Sequence, residues 1–304
     1  MSFTTSYSYD KDNREKEVTL SNGAKAINNY DILGRLYNKV ISTGSASFTT
    51  NYSYEAGREQ NSTTNRLSEI DNNGKKINYT YDANGNIEII TQDGKRIKYQ
   101  YNKLNELIRE DNQILNKTIV YTYDLGGNIL SKVEYPYTEG VPENPTKTIT
   151  YTYNDSNWKD KLTSFDGKTI TYDAIGNPLS YDGYTFTWEE GRQLKSISKE
   201  GLNISYKYND QGIRTEKTVN GVTTKYYLLG DKVILEINGL DTIHYSYDTQ
   251  DNLVSMNLNG VEYYYVRNSQ GDIIALIDAN GNEAVSYTYV LFGKLFHLKK
   301  FKLI

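Results

Sequence analysis

Cysteine is absent from this chain of 304 residues, which also has only two histidines and four prolines. Without cysteine the chain can form no disulfide bond or thiolate zinc site, and it has no cysteine nucleophile. His244 and His297 leave little material for a metal cluster or a histidine-based catalytic triad, and we expect His244 to lie on the exposed polar face of a strand. The sequence therefore predicts a protein that is not an enzyme and that binds no cofactor or metal.

Strong charge and long apolar runs are also scarce. The formal net charge is −4, and the lysines and arginines are scattered along the chain with never more than two in a row, which argues against nucleic acid as a partner. No stretch approaches the roughly 18 apolar residues of a membrane span, and the first residues do not follow the pattern of a signal peptide. We therefore expect no nucleic-acid partner and no membrane span.

Tyrosine, in contrast, is abundant at 30 residues, and it marks an internal repeat. The clearest copies run from Ile77 to Asn86 and from Ile119 to Asn128, and both follow the pattern Ile-x-Tyr-Thr-Tyr-Asp-x-x-Gly-Asn. About fourteen copies align between Tyr9 and Tyr289, with a mean spacing of roughly 21 residues, which is typical of repeat architectures. The signature is clearest at Tyr79, Tyr81, Asp82, Gly85, Tyr121, Tyr123, Asp124, Gly127, Tyr172, Asp173, Gly176, Tyr245, Tyr247, Asp248, Tyr287, Tyr289 and Gly293.

Each copy predicts two strands and two turns. The Ile-x-Tyr-x-Tyr segment alternates with period two, as a strand with one apolar face does. The following Asp-x-x-Gly predicts a tight turn in which Asp caps the start and Gly takes a positive φ. A second strand ends in Asn-Gly or Asp-Gly, the strongest short-range hairpin signal. These dipeptides are Asn22-Gly23, Asn73-Gly74, Asp93-Gly94, Asp166-Gly167, Asp182-Gly183, Asn220-Gly221, Asn238-Gly239, Asn259-Gly260 and Asn280-Gly281.

The predicted fold class is all-β, a spiralling meander of antiparallel hairpins, because roughly 28 short strands are too many for one flat sheet. Residues 104–115 have a partly helical spacing, but the repeat register favours a strand there. We expect one continuous strip over residues 1–295, with an inserted loop near 134–147 that contains three of the four prolines. Residues 296–304 form a divergent tail in this interpretation.

The Tyr-x-Tyr-Asp-x-x-Gly-Asn unit resembles the tyrosine-aspartate (YD) repeat of the Rhs family. That family includes bacterial Rhs polymorphic toxins and wall-associated proteins, the C component of insecticidal toxin complexes, and the teneurins. The resemblance covers the chain from Tyr7 to about Leu295. It implies a β-sheet strip that spirals into a hollow shell, which in the toxin members encloses a C-terminal toxic polypeptide.

The resemblance weakens at the C-terminal end of the strip. Residues 265–293 resemble the approach to the conserved Rhs core, but Val290 stands where family members usually have Asp. The tail lacks the core segment with its self-cleavage aspartates, so no catalytic residue can be transferred to this chain. We expect a truncated piece of a larger Rhs gene product, whose open sheet edges favour self-association.

Two functions remain open at this point. The first is a non-catalytic shell or scaffold of a secreted or wall-associated toxin-type protein, acting at the cell surface or outside as part of a larger system. Its partner would be a polypeptide cargo or the remaining Rhs core and toxin segments. The second is a surface adhesin that binds a cell-surface glycan through exposed aromatic rings, with Trp158 and Trp188 as the candidate contacts.

The turns also invite comparison with calcium loops, because Asp82 to Asn86 and Asp278 to Asn282 are rich in oxygen donors. An EF-hand needs Gly at its sixth position and Glu at its twelfth, whereas Gly is fourth here. Turn chemistry is therefore the favoured interpretation of these residues.

Overall fold

The computed structural model describes residues 3–290 and 294–300, with side chains described up to Tyr287. Within these residues all regular secondary structure is β-strand, and no helix has the length and apolarity needed to cross a membrane. The chain divides into two compact units. Residues 1–76 and 224–304 form one, called the terminal unit, and residues 77–223 form the other, called the central unit.

The strands are short and follow one another through tight turns. The first six are β1 (Thr5–Tyr9), β2 (Glu15–Leu20), β3 (Lys25–Tyr30), β4 (Leu36–Ser42), β5 (Ser47–Ala56) and β6 (Thr63–Asn72). The next fourteen are β7 (Lys75–Tyr81), β8 (Ile87–Gln92), β9 (Lys95–Tyr101), β10 (Leu107–Asn112), β11 (Lys117–Tyr123), β12 (Ile129–Pro136), β13 (Lys147–Thr152), β14 (Ser164–Phe165), β15 (Lys168–Tyr172), β16 (Pro178–Tyr181), β17 (Tyr184–Glu189), β18 (Gln193–Lys199), β19 (Leu202–Tyr208) and β20 (Arg214–Val219). The last eight are β21 (Val222–Leu229), β22 (Lys232–Asn238), β23 (Asp241–Tyr247), β24 (Leu253–Leu258), β25 (Val261–Arg267), β26 (Ile273–Ile277), β27 (Glu283–Val290) and β28 (Lys294–Lys300).

Consecutive strands pair antiparallel within each unit. The central unit is a meander from β7 to β20. The terminal unit contains two meanders, β1 to β6 and β21 to β28. The predicted all-β meander of antiparallel hairpins is confirmed, and residues 107–112 form a strand as the repeat register indicated.

The Asn-Gly and Asp-Gly dipeptides form the hairpin turns expected of them at most positions. Asp93 and Gly94 both have positive φ, 50° and 74°, as a two-residue turn matched to the right-handed strand twist requires. Asn280-Gly281 is an exception to the prediction. The Gly281 N–H donates to the Asp278 carbonyl at 3.0 Å, so this dipeptide lies inside an Asp-x-x-Gly turn and does not form a hairpin turn of its own.

The core of the terminal unit joins the first and last parts of the chain. Val18, Ala26 and Ile41 from β2 to β4 pack against Tyr264 and Ile277 from β25 and β26 in one buried cluster. Val18 pairs directly with Tyr7 across β1 and β2. The face of the first meander that packs on β25 and β26 is therefore the face that carries its tyrosines. The first meander of this unit therefore packs with its tyrosine face on the second meander.

The two faces of β25 have different neighbours. Tyr264 belongs to the cluster shared with the first meander, whereas Tyr263 packs with Leu276 and Val285 in a second buried cluster. Since successive side chains of a strand point to opposite faces, β25 is covered on both sides. Such double coverage explains why three successive aromatic residues, Tyr263 to Tyr265, are tolerated here.

His244 lies at the same overlap. Its ring stacks on Phe3 with the ring centroids 3.6 Å apart, and it is half-buried. The expectation of an exposed polar residue was wrong, because the ring of Phe3, which precedes β1 and lies more than two hundred residues away in the chain, covers it.

Candidate functional site

The aspartate of each repeat closes its turn. Oδ1 of Asp82 accepts hydrogen bonds from the backbone N–H groups of Asn84 and Asn86, both at 2.9 Å. Its Oδ2 accepts the side-chain amide of Asn86 at 2.9 Å, and the Gly85 N–H donates to the Asp82 carbonyl at 3.0 Å. Gly85 has a φ of 90°, a conformation that glycine adopts without strain. The same arrangement recurs at Asp124 with Gly127, at Asp173 with Gly176, and without the glycine at Asp248.

These carboxylates are engaged within their own turns. The hydrogen bond from the Asn86 side chain, with those from the backbone, holds the pKa of Asp82 below its usual value, and Asn128 does the same for Asp124. An ionised carboxylate that accepts several N–H groups has its lone pairs committed. In the part of the chain that the structure describes, no group of three or more acidic or histidine side chains could hold a metal ion.

A β-bulge follows the Asp-x-x-Gly type of turn. Thr80 pairs with Ile89, but the next residue, Tyr81, pairs with Ile87, so one residue of β8 is extra. The same shift occurs at Tyr101 with Leu107 and at Tyr123 with Ile129. A bulge interrupts the ladder of backbone hydrogen bonds, and its polar groups need other partners.

The second tyrosine of the next hairpin provides such a partner. Its hydroxyl donates to the carbonyl of the residue that begins the bulge in the preceding hairpin, and this bond joins neighbouring repeats. Tyr101 donates to Ile87 at 3.0 Å and Tyr123 donates to Leu107 at 2.6 Å. The same type of bond is made by Tyr30, Tyr54, Tyr153, Tyr208 and Tyr247, and Tyr172 donates to the Leu162 carbonyl.

The two tryptophans differ in their surroundings. Trp188 replaces the second tyrosine of its repeat, and its Nε1–H donates to the Pro178 carbonyl at 2.7 Å. Trp158 lies in the loop between β13 and β14, is 49% exposed, and its ring lies over Gly176. Trp188 is thus bound into the repeat, while Trp158 presents ring surface to solvent; a glycan contact at either residue stays a prediction.

The first tyrosine of the pair is buried in the clearest copies of the repeat. Tyr79 and Tyr121 are 4% and 3% exposed, and desolvation raises the pKa of Tyr121. Tyr245 donates from its hydroxyl to Glu236 Oε2 at 3.0 Å, and Tyr287 packs against the second cluster of the terminal unit. The side chain of Tyr289 and the whole of Gly293 lie outside the described residues.

A buried polar cluster interrupts the tyrosine face of the central unit. Glu110 pairs with Tyr99 across β9 and β10 and is 1% exposed, and its Oε1 accepts the Asn112 side-chain amide at 2.7 Å. Burial raises the pKa of Glu110 despite that hydrogen bond. On the neighbouring strands Lys117 contacts Glu134 at 2.5 Å. No sequence pattern indicated this cluster, since Glu110 occupies the position where most repeats have an apolar residue.

The inserted loop packs on the opposite face of the same strands. Arg109 donates through Nη2 to the carbonyls of Thr138 and Gly140, at 2.9 and 2.7 Å, and through Nε to Asp111. The hydroxyl of Thr118 lies within hydrogen-bonding distance of Asp111 Oδ1 and the Thr138 carbonyl, at 2.9 and 2.8 Å. The loop that the prolines marked in the sequence is therefore anchored to β10 and β11 by hydrogen bonds.

Comparisons with known proteins agree with this arrangement. Residues 88–302 match the family model described as the teneurin YD-shell. A curated relative, the tRNA3(Ser)-specific nuclease WapA of Bacillus spizizenii, is 33% identical over 200 residues, and the tRNA nuclease WapA of Bacillus subtilis is 31% identical over 200 residues. Each match covers 64% of this chain but only 8% of the relative, so the chain corresponds to a small part of those proteins.

Solved structures share the fold over nearly the whole chain. The Tc holotoxin pore of Photorhabdus luminescens matches with a TM-score of 0.64 and 17% identity, covering 98% of this chain and 18% of that chain. A crystal structure of TcdB2–TccC3 matches with a TM-score of 0.60 and 16% identity, covering 98% and 19%. At this identity the likeness concerns the fold alone.

Proposed function

This chain belongs to the YD-shell family, and on that premise we propose that it is a non-catalytic wall segment of a toxin-type protein that acts outside the cell or at its surface. Its role is to enclose or present a polypeptide carried by the same system. The nuclease activity in the names of the curated relatives then belongs to parts of those proteins other than this repeat segment.

The proposal is supported by the hydrogen bonds that the signature side chains make within and between the repeats. The Asp82 and Asp124 carboxylates accept the hydrogen bonds of their own turns, and the Tyr101 and Tyr123 hydroxyls bond the preceding hairpin. Groups committed in this way stabilise a wall. They are not positioned as a nucleophile, a base or an oxyanion site would be.

Enclosure can be tested by protection from proteolysis. An unfolded tracer polypeptide with a site for a sequence-specific protease is attached after Ile304, and its cleavage is compared with the same tracer on an unrelated folded domain. If the wall encloses the tracer, cleavage should slow by about tenfold or more, because the protease reaches only the opened state. Equal cleavage rates on the two carriers would contradict enclosure.

A double variant tests whether the repeat wall itself protects the tracer from cleavage. Replacing Tyr101 and Tyr123 by Phe removes two hydroxyl bonds between neighbouring repeats and leaves the apolar rings in place. Cleavage of the tracer should accelerate in this variant. An unchanged rate would indicate that the repeat wall does not control access.

The glycan-binding alternative has one supporting observation, the exposed ring of Trp158. A glycan array probed with the wild-type chain and with Trp158→Ala would test it. Trp188→Ala serves as the comparison, because that indole is already hydrogen-bonded within the repeat. If none of the three proteins binds a glycan, the adhesin hypothesis is wrong.

A further inference from the structure

Large apolar side chains lie in alternate connections of the central unit, at the same end of its strands. Leu104, Leu125, Trp158 and Ile175 belong to the connections that follow β9, β11, β13 and β15, and in an antiparallel meander alternate connections share one edge. Their exposed fractions are 72%, 105%, 49% and 49%. We call these four residues the apolar rim.

Turn geometry does not require an apolar residue at these positions. Leu104 and Ile175 lie two residues after the residue that begins their turn. Asn84, Gln211 and Gln250 hold the same position in their own turns, and each donates its backbone N–H to the residue that begins the turn. Their side chains are polar, as a solvent-exposed tip allows. Exposed apolar residues on neighbouring turns therefore call for an explanation other than folding.

Hydrogen bonds between turns hold the rim in place. The side-chain amides of Asn84 and Asn86 both donate to Asn105 Oδ1 at 3.0 Å, and Asn128 donates to Asp160 at 3.1 Å. The first two bonds connect the turn of Asn84 to that of Leu104, and the third connects the turn of Leu125 to the loop of Trp158. A surface ordered in advance loses little conformational entropy when a partner binds.

A cleft with acidic walls opens between the first two tips. It has a volume of about 490 Å³ and is lined by Leu104, Leu125, Ile108 and the carboxylates Glu106 and Asp124. An aspartate is ionised at neutral pH, and the hydrogen bonds from Asn128 lower the pKa of Asp124 further. The cleft can hold an apolar side chain while its walls attract a cation.

We propose that the apolar rim is a docking surface for a segment of a partner protein that carries apolar and basic side chains. Charge complementarity decides this choice of occupant, because the described residues that line the cleft include two carboxylates and no basic side chain. The proposal goes beyond the wall function, since it assigns a binding role to the turns that carry the apolar rim.

The test uses the full chain and three synthetic probe peptides, one of Leu, Lys and Ser, one with Glu in place of Lys, and one with Ser in place of Leu. Binding is measured by fluorescence anisotropy at two salt concentrations. The Leu and Lys peptide should bind at least about tenfold more tightly than either other peptide, and more weakly at high salt. Equal binding of all three peptides would overturn the proposal.

A triple variant, with Leu104, Leu125 and Ile175 each replaced by Asn, removes the aliphatic part of the rim. It should weaken binding of the Leu and Lys peptide by at least about tenfold, and its unchanged circular dichroism would show that the fold is retained. Leu240→Asn is the matched control, since Leu240 is a turn residue that is 99% exposed but lies in the terminal unit.

Two outcomes contradict the proposal. One is a triple variant that binds as tightly as the wild type. The other is a wild-type chain that sediments as a dimer, binds no peptide, and becomes monomeric in the triple variant, which would make the rim a contact between copies. Neither outcome bears on the proteolysis test of the wall function.

Discussion

The two tyrosines of each repeat have different tasks because they meet different surroundings. Tyr121 is 3% exposed and contributes its ring to the buried face, whereas Tyr123 reaches the Leu107 carbonyl with its hydroxyl at 2.6 Å. A tyrosine ring offers apolar area and its hydroxyl a polar end. The first position mainly uses the ring, and the second uses both.

Tyr123→Phe tests the value of that hydroxyl bond. Loss of the bond to the Leu107 carbonyl should lower the free energy of unfolding by about 1 kcal/mol, measured by urea denaturation. Tyr37→Phe is the control, because Tyr37 is 48% exposed and should change stability little. Equal stabilities of the two variants would mean that the bond between repeats contributes nothing.

Glu110 should make stability depend on pH. Burial raises its folded-state pKa, so the folded chain binds this proton more tightly than the unfolded chain. The resulting stabilisation is fully present below the ordinary carboxylate pKa and is lost as pH rises through the raised value. Glu110→Gln has no such loss, and at pH 8 it should be more stable than the wild type by about 1–3 kcal/mol.

The measurement is urea unfolding of both proteins between pH 4 and pH 8. The two curves should lie close together at the acidic end and separate as pH rises. Glu143→Gln serves as the control, because Glu143 is exposed and the variant should follow the wild-type pH dependence. A Glu110→Gln curve parallel to that of the wild type would contradict the interpretation.

The hairpin is the element whose geometry is most local. Its turn, its bulge and its capping aspartate all lie within about ten residues, and each uses a side chain suited to its own backbone angles. Asp93 and Gly94 illustrate this, since both have positive φ. The Asp-x-x-Gly turns and the two-residue hairpin turns together define where most strands of the meander begin and end.

Gly94→Ala tests the turn. The φ of Gly94 is 74° and nothing lies within 4 Å of an added Cβ, so the cost is that of the backbone conformation alone. We expect a loss of about 1 kcal/mol in thermal or urea unfolding. Gly140→Ala is the control, because the φ of Gly140 lies outside the left-handed region and an added Cβ would meet its nearest neighbour at an ordinary 3.5 Å.

At the scale of the whole molecule, the terminal unit unites parts of the chain that are far apart in sequence. Ala26 on β3 is 1% exposed and belongs to the same cluster as Tyr264 and Ile277. Further contacts join these meanders, including a hydrogen bond from the Tyr7 hydroxyl to the Tyr247 carbonyl at 2.9 Å. The first strands and the last strands of this unit should therefore lose their structure together.

Ala26→Leu tests that coupling. The larger side chain overpacks the interface between the two meanders and should destabilise the unit by about 1–3 kcal/mol. Hydrogen exchange should accelerate in β24 to β26, more than two hundred residues away along the chain. Ala83→Leu, at an exposed turn, is the control. Unchanged exchange in β24 to β26 would show that the two meanders are not coupled.

The sequence by itself determined the hairpin. Alternation, Asp-x-x-Gly and Asn-Gly act within a few residues, so their patterns predicted the all-β meander and the strand at 107–112. Where a dipeptide was shared between two patterns, as at Asn280-Gly281, the preceding Asp278 decided the turn.

The tertiary structure decided which groups meet between distant segments. The carbonyl that accepts the Tyr123 hydroxyl depends on a bulge in the preceding hairpin, and the ring beside His244 comes from Phe3. The burial of Glu110 depends on how neighbouring strands pack. The contacts of Phe3 and Glu110 follow from the folding of the chain on itself, which leaves no periodic mark in these residues.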